Sequence, residues 1–216
     1  MTTATFYAST ADGVVQSDHA TVYSTARSGN NLNAGPGAAY GSVGQYGTIP
    51  YICFEMFLSF DTSSIPDGAT ISAVTLSLYG RTDASATDFT INARAYDWGA
   101  SLTTADWIAG ASLSGNTLLA TFATSGFSAA GYNDFTSESA FLTAINKTGT
   151  TYIVLSSSRH EGANAPSGNE YVETYLADET GTTKDPKLTV VYSEVTGPLV
   201  GGRLVGGGAL AGRLVA

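Results

Sequence analysis

Nucleophilic catalysis needs a thiol or hydroxyl beside a base. The one thiol of this 216-residue chain is Cys53, and His19 and His160 are its two imidazoles. A dyad of Cys53 with either histidine is the one cysteine–histidine pair the sequence could build, yet Cys53 lies among alternating strand residues and reads as a packed or half-exposed strand position. His160, in Ser158-Arg-His-Glu-Gly162, reads as polar loop at a strand end. Two histidines are too few for a metal centre built on imidazoles.

Glycosides are hydrolysed by two carboxyl groups held roughly 5–9.5 Å apart, and Glu161, Glu170 and Glu173 form the densest acidic group that could serve. Glu170 and Glu173 differ by an odd number, so on one strand they face opposite sides, and both read as solvated edge charges. Asp12, Asp18, Asp83 and Asp88 lie in segments that could offer oxygens to calcium, although none shows a recognisable calcium-loop spacing. No cofactor is expected, with a structural calcium the one ion whose ligand types are present. Sugar rings stack on aromatic faces, and loop aromatics also anchor protein interfaces. Tyr40, Tyr46, Trp98 and Trp107 lie in or beside loops and are the candidates for such contacts, core packing being the other use of the two tryptophans.

The elements that would carry these residues are strands. Short β-branched or aromatic runs separated by Gly, Asn, Asp and Pro are the pattern of a sandwich or barrel. The predicted strands lie near 4–8, 12–16, 20–24, 51–60, 70–79, 88–97, 117–123, 150–157, 169–177 and 186–193. In the run from Ala69 to Tyr79, Val74, Leu76 and Leu78 share the face to be buried. Ile52, Phe54, Met56, Leu58 and Phe60 alternate with Cys53, Glu55 and Ser59, so one side of a long central strand is apolar and Phe57 interrupts the polar side. Pro66, Asp67 and Gly68 supply turn chemistry between these two strands. Thr103 to Ala109 and Ser137 to Lys147 are short helical candidates that would close the ends of a sandwich, the second carrying Phe141, Leu142 and Ile145 on one side. Residues 28–48, rich in Gly, Asn and Ser, read as a long surface loop.

Composition sets the limits. Charged residues are 12% of the chain, about half the usual share near 25%, which with 25 Gly and 12 Tyr is a β composition rather than a helical or disordered one. Nine basic against 18 acidic side chains give a net charge of −9, which would repel a phosphate backbone and excludes nucleic acid as a partner. A lone cysteine leaves packing and hydrogen bonding to stabilise the fold. The N-terminal Met1-Thr-Thr-Ala-Thr-Phe-Tyr lacks the basic and apolar stretches of a secretory signal, so export by the general route is not expected. No run is long and apolar enough for a membrane span.

After Glu194 the composition changes. Residues 197–216 contain no acid and seven glycines, and Gly-Arg-Leu-Val occurs at 202–205 and again at 212–215. Glycine disfavours a helix here, and an extended tail would reach about 65 Å. It is either a disordered terminus or a segment that orders on a partner. Leu199, Val200, Leu204, Val205, Leu210, Leu214 and Val215 recur where a simple spacer would not need them, and Arg203 and Arg213 suit an acidic surface such as the chain's own body. The expected organisation is therefore a β-sandwich over 1–194 and an interaction tail over 195–216.

The run Phe57-Leu-Ser-Phe-Asp-Thr-Ser-Ser-Ile-Pro-Asp-Gly-Ala-Thr-Ile-Ser-Ala-Val-Thr-Leu-Ser-Leu-Tyr-Gly80 resembles DNRLRE-type jelly-roll domains. Asp185-Pro-Lys-Leu-Thr-Val-Val-Tyr192 is similar to the closing strand of that family, and Ala8-Ser-Thr-Ala-Asp-Gly-Val to its start. The resemblance spans roughly residues 4–193 and implies an all-β jelly-roll sandwich of the kind found in secreted, cell-surface and bacteriophage virion proteins, sometimes likened to carbohydrate-binding modules. The resulting expectation is a non-enzymatic structural protein of a virion or other extracellular particle, homo-oligomeric or joined to other assembly subunits through its tail. Its rival is a carbohydrate-binding module using the four loop aromatics, or a cell-surface adhesion domain. A glycosidase or lyase ranks third.

Overall fold

The computed structural model describes residues 1–47, 49–178 and 180–194. Among these described residues there are thirteen strands: β1 (Thr2–Tyr7), β2 (Gly13–His19), β3 (Asn33–Pro36), β4 (Tyr40–Tyr46), β5 (Tyr51–Asp61), β6 (Thr70–Ser85), β7 (Thr90–Ala95), β8 (Leu118–Ala123), β9 (Tyr132–Asp134), β10 (Thr136–Ser137), β11 (Thr150–Ser157), β12 (Asn169–Tyr175) and β13 (Lys187–Ser193). Three short helices join them: α1 (Tyr23–Ser28), α2 (Ser139–Ala144) and α3 (Ser158–Glu161). The fold is all-β and sandwich-like, as the strand pattern predicts.

Every ladder among the described residues is antiparallel, and the hydrogen-bonded path runs β1-β13-β6-β12-β4-β5-β11-β7-β8-β10, with β2 attached to β5, β3 to β2 and β9 to β6. The 16-residue β6 belongs to both layers: its first part pairs with β13 and β9, and its last part pairs with β12. The path can therefore curl over. Val74, Leu76 and Leu78 of β6 with Leu188 and Val190 of β13 face Met56, Leu58 and Phe60 of β5 with Ile153 and Leu155 of β11, and together they form the main core. Alternation alone dictates this, because the period of two in those strands puts each apolar set on one side.

Several elements depart from their sequence reading. Residues 20–24 are not a strand; from Tyr23 the chain enters α1, whose Tyr23 and Ala26 turn inward. Residues 28–48 are not one long loop either, because they contain β3 and β4. β4 evades a propensity reading because Gly41, Ser42 and Gly44 occupy it. Gly44 has φ +127, and a Cβ there would lie 2.3 Å from the Glu170 carbonyl, so the close approach of β12 requires glycine. Of Thr103 to Ala109, only a 3-10 turn at Thr104–Asp106 forms, closed by a Thr103/Asp106 capping box. The second helical candidate is present as α2, with Phe141 and Ile145 buried.

β5 is covered on both faces. Phe57 does not interrupt a solvent side but centres a second core with Val15, Trp98, Leu102, Ile108, Leu113 and Val154, and Cys53 packs with Tyr23 and Ala26 in a third. Among the described residues no helix is long and apolar enough to cross a membrane.

Candidate functional site

The side chains that could do chemistry converge on the outer face of β5, beneath α1, α3 and the segment 103–112. Cys53 and Glu55 leave β5 on that face by parity, and both are fully buried. Burial pushes the Cys53 thiol up to about 12, with the charge of Glu55 adding to it. Such a thiol is not a nucleophile at neutral pH. Burial also holds the Glu55 carboxyl well above the usual range, against the lowering effect of the Ile108 N–H, which donates to Glu55 Oε2 at 3.1 Å.

His160 is no exposed loop residue. It lies on α3 with no exposed surface, its ring stacked on Trp107 with centroids 5.4 Å apart, and desolvation drops its pKa to about 4. The neutral imidazole is wedged against Gly110, where a Cβ would stand 2.6 Å from ring atoms. Arg27 of α1 donates from Nε to the His160 carbonyl at 2.6 Å and from Nη2 to the Glu161 carbonyl at 2.5 Å, tying α1 to α3. His19 serves elsewhere: its Nδ1 accepts the Thr21 and Val22 N–H groups at the entrance to α1.

The three glutamates each take a separate arginine. Arg94 binds Glu161 bidentately at 2.9 and 2.7 Å, and Ser156 donates to the same carboxylate at 2.6 Å. Burial raises the Glu161 pKa, but hydrogen bonds from Arg94, Ser156 and Asn92 and the charge of Arg94 outweigh it, so the net shift is downward. Glu170 is fully buried rather than a solvated edge charge. It accepts from Arg159 Nε at 2.6 Å and from Gln45 Nε2 at 2.7 Å, while Gln45 Oε1 accepts the Tyr23 hydroxyl at 2.7 Å. Glu173 faces the other way, as parity requires, and pairs with Arg81. A buried cation facing a buried anion is costly to separate, so the Arg94–Glu161 and Arg159–Glu170 pairs act as braces between β12, β4, α1, α3, β7 and β11, while the Arg81–Glu173 pair lies nearer the surface.

The four aspartates read as calcium candidates are engaged apart from one another. Asp18 accepts from Asn31, Asp83 from Ser85 and Asp88 from Thr124. Asp12 is fully buried; its Oδ2 accepts the Ala177 N–H at 3.1 Å, and burial, with Asp178 and Asp185 nearby, pushes it up to about 8. Among the described residues no group of three His, Cys, Asp or Glu side chains is placed to hold a metal ion.

The aromatic candidates divide. Trp98, 4% exposed, packs edge-on to Phe57 and Tyr152, and Trp107 lies between His160 and the second core. Tyr40 and Tyr46, 48% and 37% exposed, stand on one face of β4. They join tyrosines that the sequence reading did not single out. Tyr175 is the register partner of Tyr40, Tyr171 meets Tyr46 and Phe54, and Tyr79 links Tyr175 to Tyr132. Arg81 lies 3.9 Å over the Tyr40 ring, and Lys187 3.7 Å over that of Tyr132. The shared parity of Tyr171 and Tyr175 on one strand was the available signal. Leu199, Val200, Arg203, Leu204, Val205, Leu210, Arg213, Leu214 and Val215 lie outside the described residues.

The molecule is thus an all-β, sandwich-like body whose interior carries buried ionisable groups and whose tyrosines line an outer face. No model of a known protein family matches the chain, and no curated protein matches it.

Proposed function

We propose that this protein is a non-enzymatic structural component of an extracellular assembly, a jelly-roll sandwich that docks on neighbouring subunits through residues 195–216. The observation that carries the reading is the use made of the reactive side chains. Cys53, Glu55, His160 and Glu170 are fully buried, and the glutamates of the densest acidic group are each held by an arginine. Such a body is built for rigidity, and the segment with a separate composition is the tail. The resemblance to virion and surface domains makes a bacteriophage particle the favoured setting.

The test is a chain ending at Glu194. It should keep the far-ultraviolet spectrum and unfolding midpoint of the full chain and lose self-assembly; unchanged assembly would refute the reading. The exposed pair Tyr40 and Tyr46, beside Tyr171, favours glycan binding as a second reading. Retention on insoluble polysaccharides that is lost in Tyr40→Ala and Tyr46→Ala would establish it, and retention by neither variant nor parent would dismiss it.

A further inference from the structure

The tail reading leaves open which surface receives the segment, and β1 has the geometry for it. β1 pairs on one side with β13, in unbroken register from Thr2↔Tyr192 to Tyr7↔Lys187. On its other side the first strand contact among the described residues is the bridge from Ala8 to Phe60. The direction of each backbone group follows from two hydrogen bonds at the end of the strand. The Ala8 N–H donates to the Pro186 carbonyl on the β13 side at 2.9 Å, and the Ser9 N–H donates to the Ser59 carbonyl on the opposite side at 2.9 Å. These directions alternate along an antiparallel strand, so Thr3 and Thr5 aim their N–H and C=O groups at the open edge, while Tyr7 lies beside the bridge to Phe60.

Natural edge strands are blunted by lysine, proline, a bulge or a covering segment. Thr2–Tyr7 carries no charged side chain and no proline, and Ala4 and Phe6 anchor it on the main core. It is a ready template for an added strand.

We propose that residues 197–216 of a neighbouring copy add to this edge, an inference that rests on the tail reading above. Three observations select this occupant. β13 ends at Ser193 with Tyr192 beside Thr2, so the segment leaves the body at the head of the open edge. The 22 residues from 195 to 216, at roughly 3.3 Å each if extended, would reach about 70 Å, several times the length of the edge. Residues 1–194 hold seven basic and 18 acidic side chains, a formal charge of −11, whereas 197–216 holds Arg203 and Arg213 and no acid. Joining two bodies edge to edge would set −11 against −11, while the tail brings opposite charge. Main-chain pairing needs no side chains from glycine, and each Leu-Val couplet places one side chain over the Ala4 and Phe6 face and the other over the Thr3 and Thr5 face.

The experiment uses the full chain. Thr5→Pro removes an N–H aimed at the open edge and leaves the β13 side intact, and Thr5→Lys blunts the edge without altering the backbone. Both should keep the parent's unfolding midpoint and weaken self-association at least tenfold by sedimentation velocity. Thr5→Cys mixed with Leu204→Cys should oxidise to a heterodimer. Parent-like association in both Thr5 variants would overturn the inference while leaving the tail reading intact, provided that removing 195–216 dissociates the protein. Homodimers of the Thr5→Cys variant alone, or closure within a single chain that carries both Thr5→Cys and Leu204→Cys, would overturn it too. Association that survives removal of the tail would overturn the reading beneath it.

Discussion

Replacing Asp12 by Asn removes a fully buried carboxyl whose pKa burial has pushed from 3.8 to about 8. Between those values the native state holds a proton that the unfolded chain has released, so stability falls as pH rises, by about 1.4 kcal/mol per pH unit. The contribution is whole below 3.8, is lost progressively, and is gone above about 8; from pH 5 to pH 8 the loss is about 4 kcal/mol. Asn keeps an acceptor for the Ala177 N–H, 3.1 Å away in the parent, and has no charge to bury. Other titrations are common to both proteins. His160, lowered from 6.5 to about 4, costs stability as pH falls through that window and cancels from the difference, as does the raised Glu55. Urea unfolding of parent and Asp12→Asn at half-unit steps from pH 5 to 8 should therefore give a difference curve that moves toward the variant as pH rises. Parallel profiles would refute the argument that Asp12 is buried at this cost.

Three further outcomes follow from the interior. Arg94→Met leaves Glu161 buried and unpaired and should cost roughly 3–5 kcal/mol; adding Glu161→Gln should recover part of that loss in a denaturant double-mutant cycle, whereas additive losses would contradict the brace. Gly110→Ala drives a methyl to 2.6 Å from the His160 ring and 2.8 Å from Arg27 Cγ, and should destabilise by about 1–3 kcal/mol; a parent-like thermal midpoint would show that α1 and α3 are not wedged there. Cys53, buried with its thiol near 12, should resist a maleimide at pH 7.5 and react once the chain is unfolded in urea. Complete labelling of the native protein within minutes would contradict the burial.

The sequence discloses the strand architecture because apolar parity survives wherever one layer faces the core. The Val74, Leu76 and Leu78 face is buried as alternation predicts, and Glu170 and Glu173 diverge as their odd spacing requires. Parity does not tell which second face is covered. Cys53, Glu55 and Ser59 look like a solvent side, yet α1 and the segment 103–112 lie over that face of β5, with Glu55 accepting the Ile108 N–H. The same gap hides His160 and Glu170, whose burial depends on Trp107, Arg159 and Gln45, residues distant in sequence or neutral in type. β4 is illegible because its glycines serve the approach of β12 rather than strand propensity. The tyrosine face is legible only in part: the shared parity of Tyr171 and Tyr175 is in the sequence, but the register that sets Tyr40 beside Tyr175 is not.

The arrangement proposed for this protein is a folded body joined to its neighbours through residues 195–216. Sedimentation velocity of the full chain beside the chain ending at Glu194, at equal concentration and physiological salt, tests it most directly. The full chain should run as a concentration-dependent multimer and the shortened chain as a folded monomer of the body's mass. A monomeric full chain, or a shortened chain that still assembles, would contradict it.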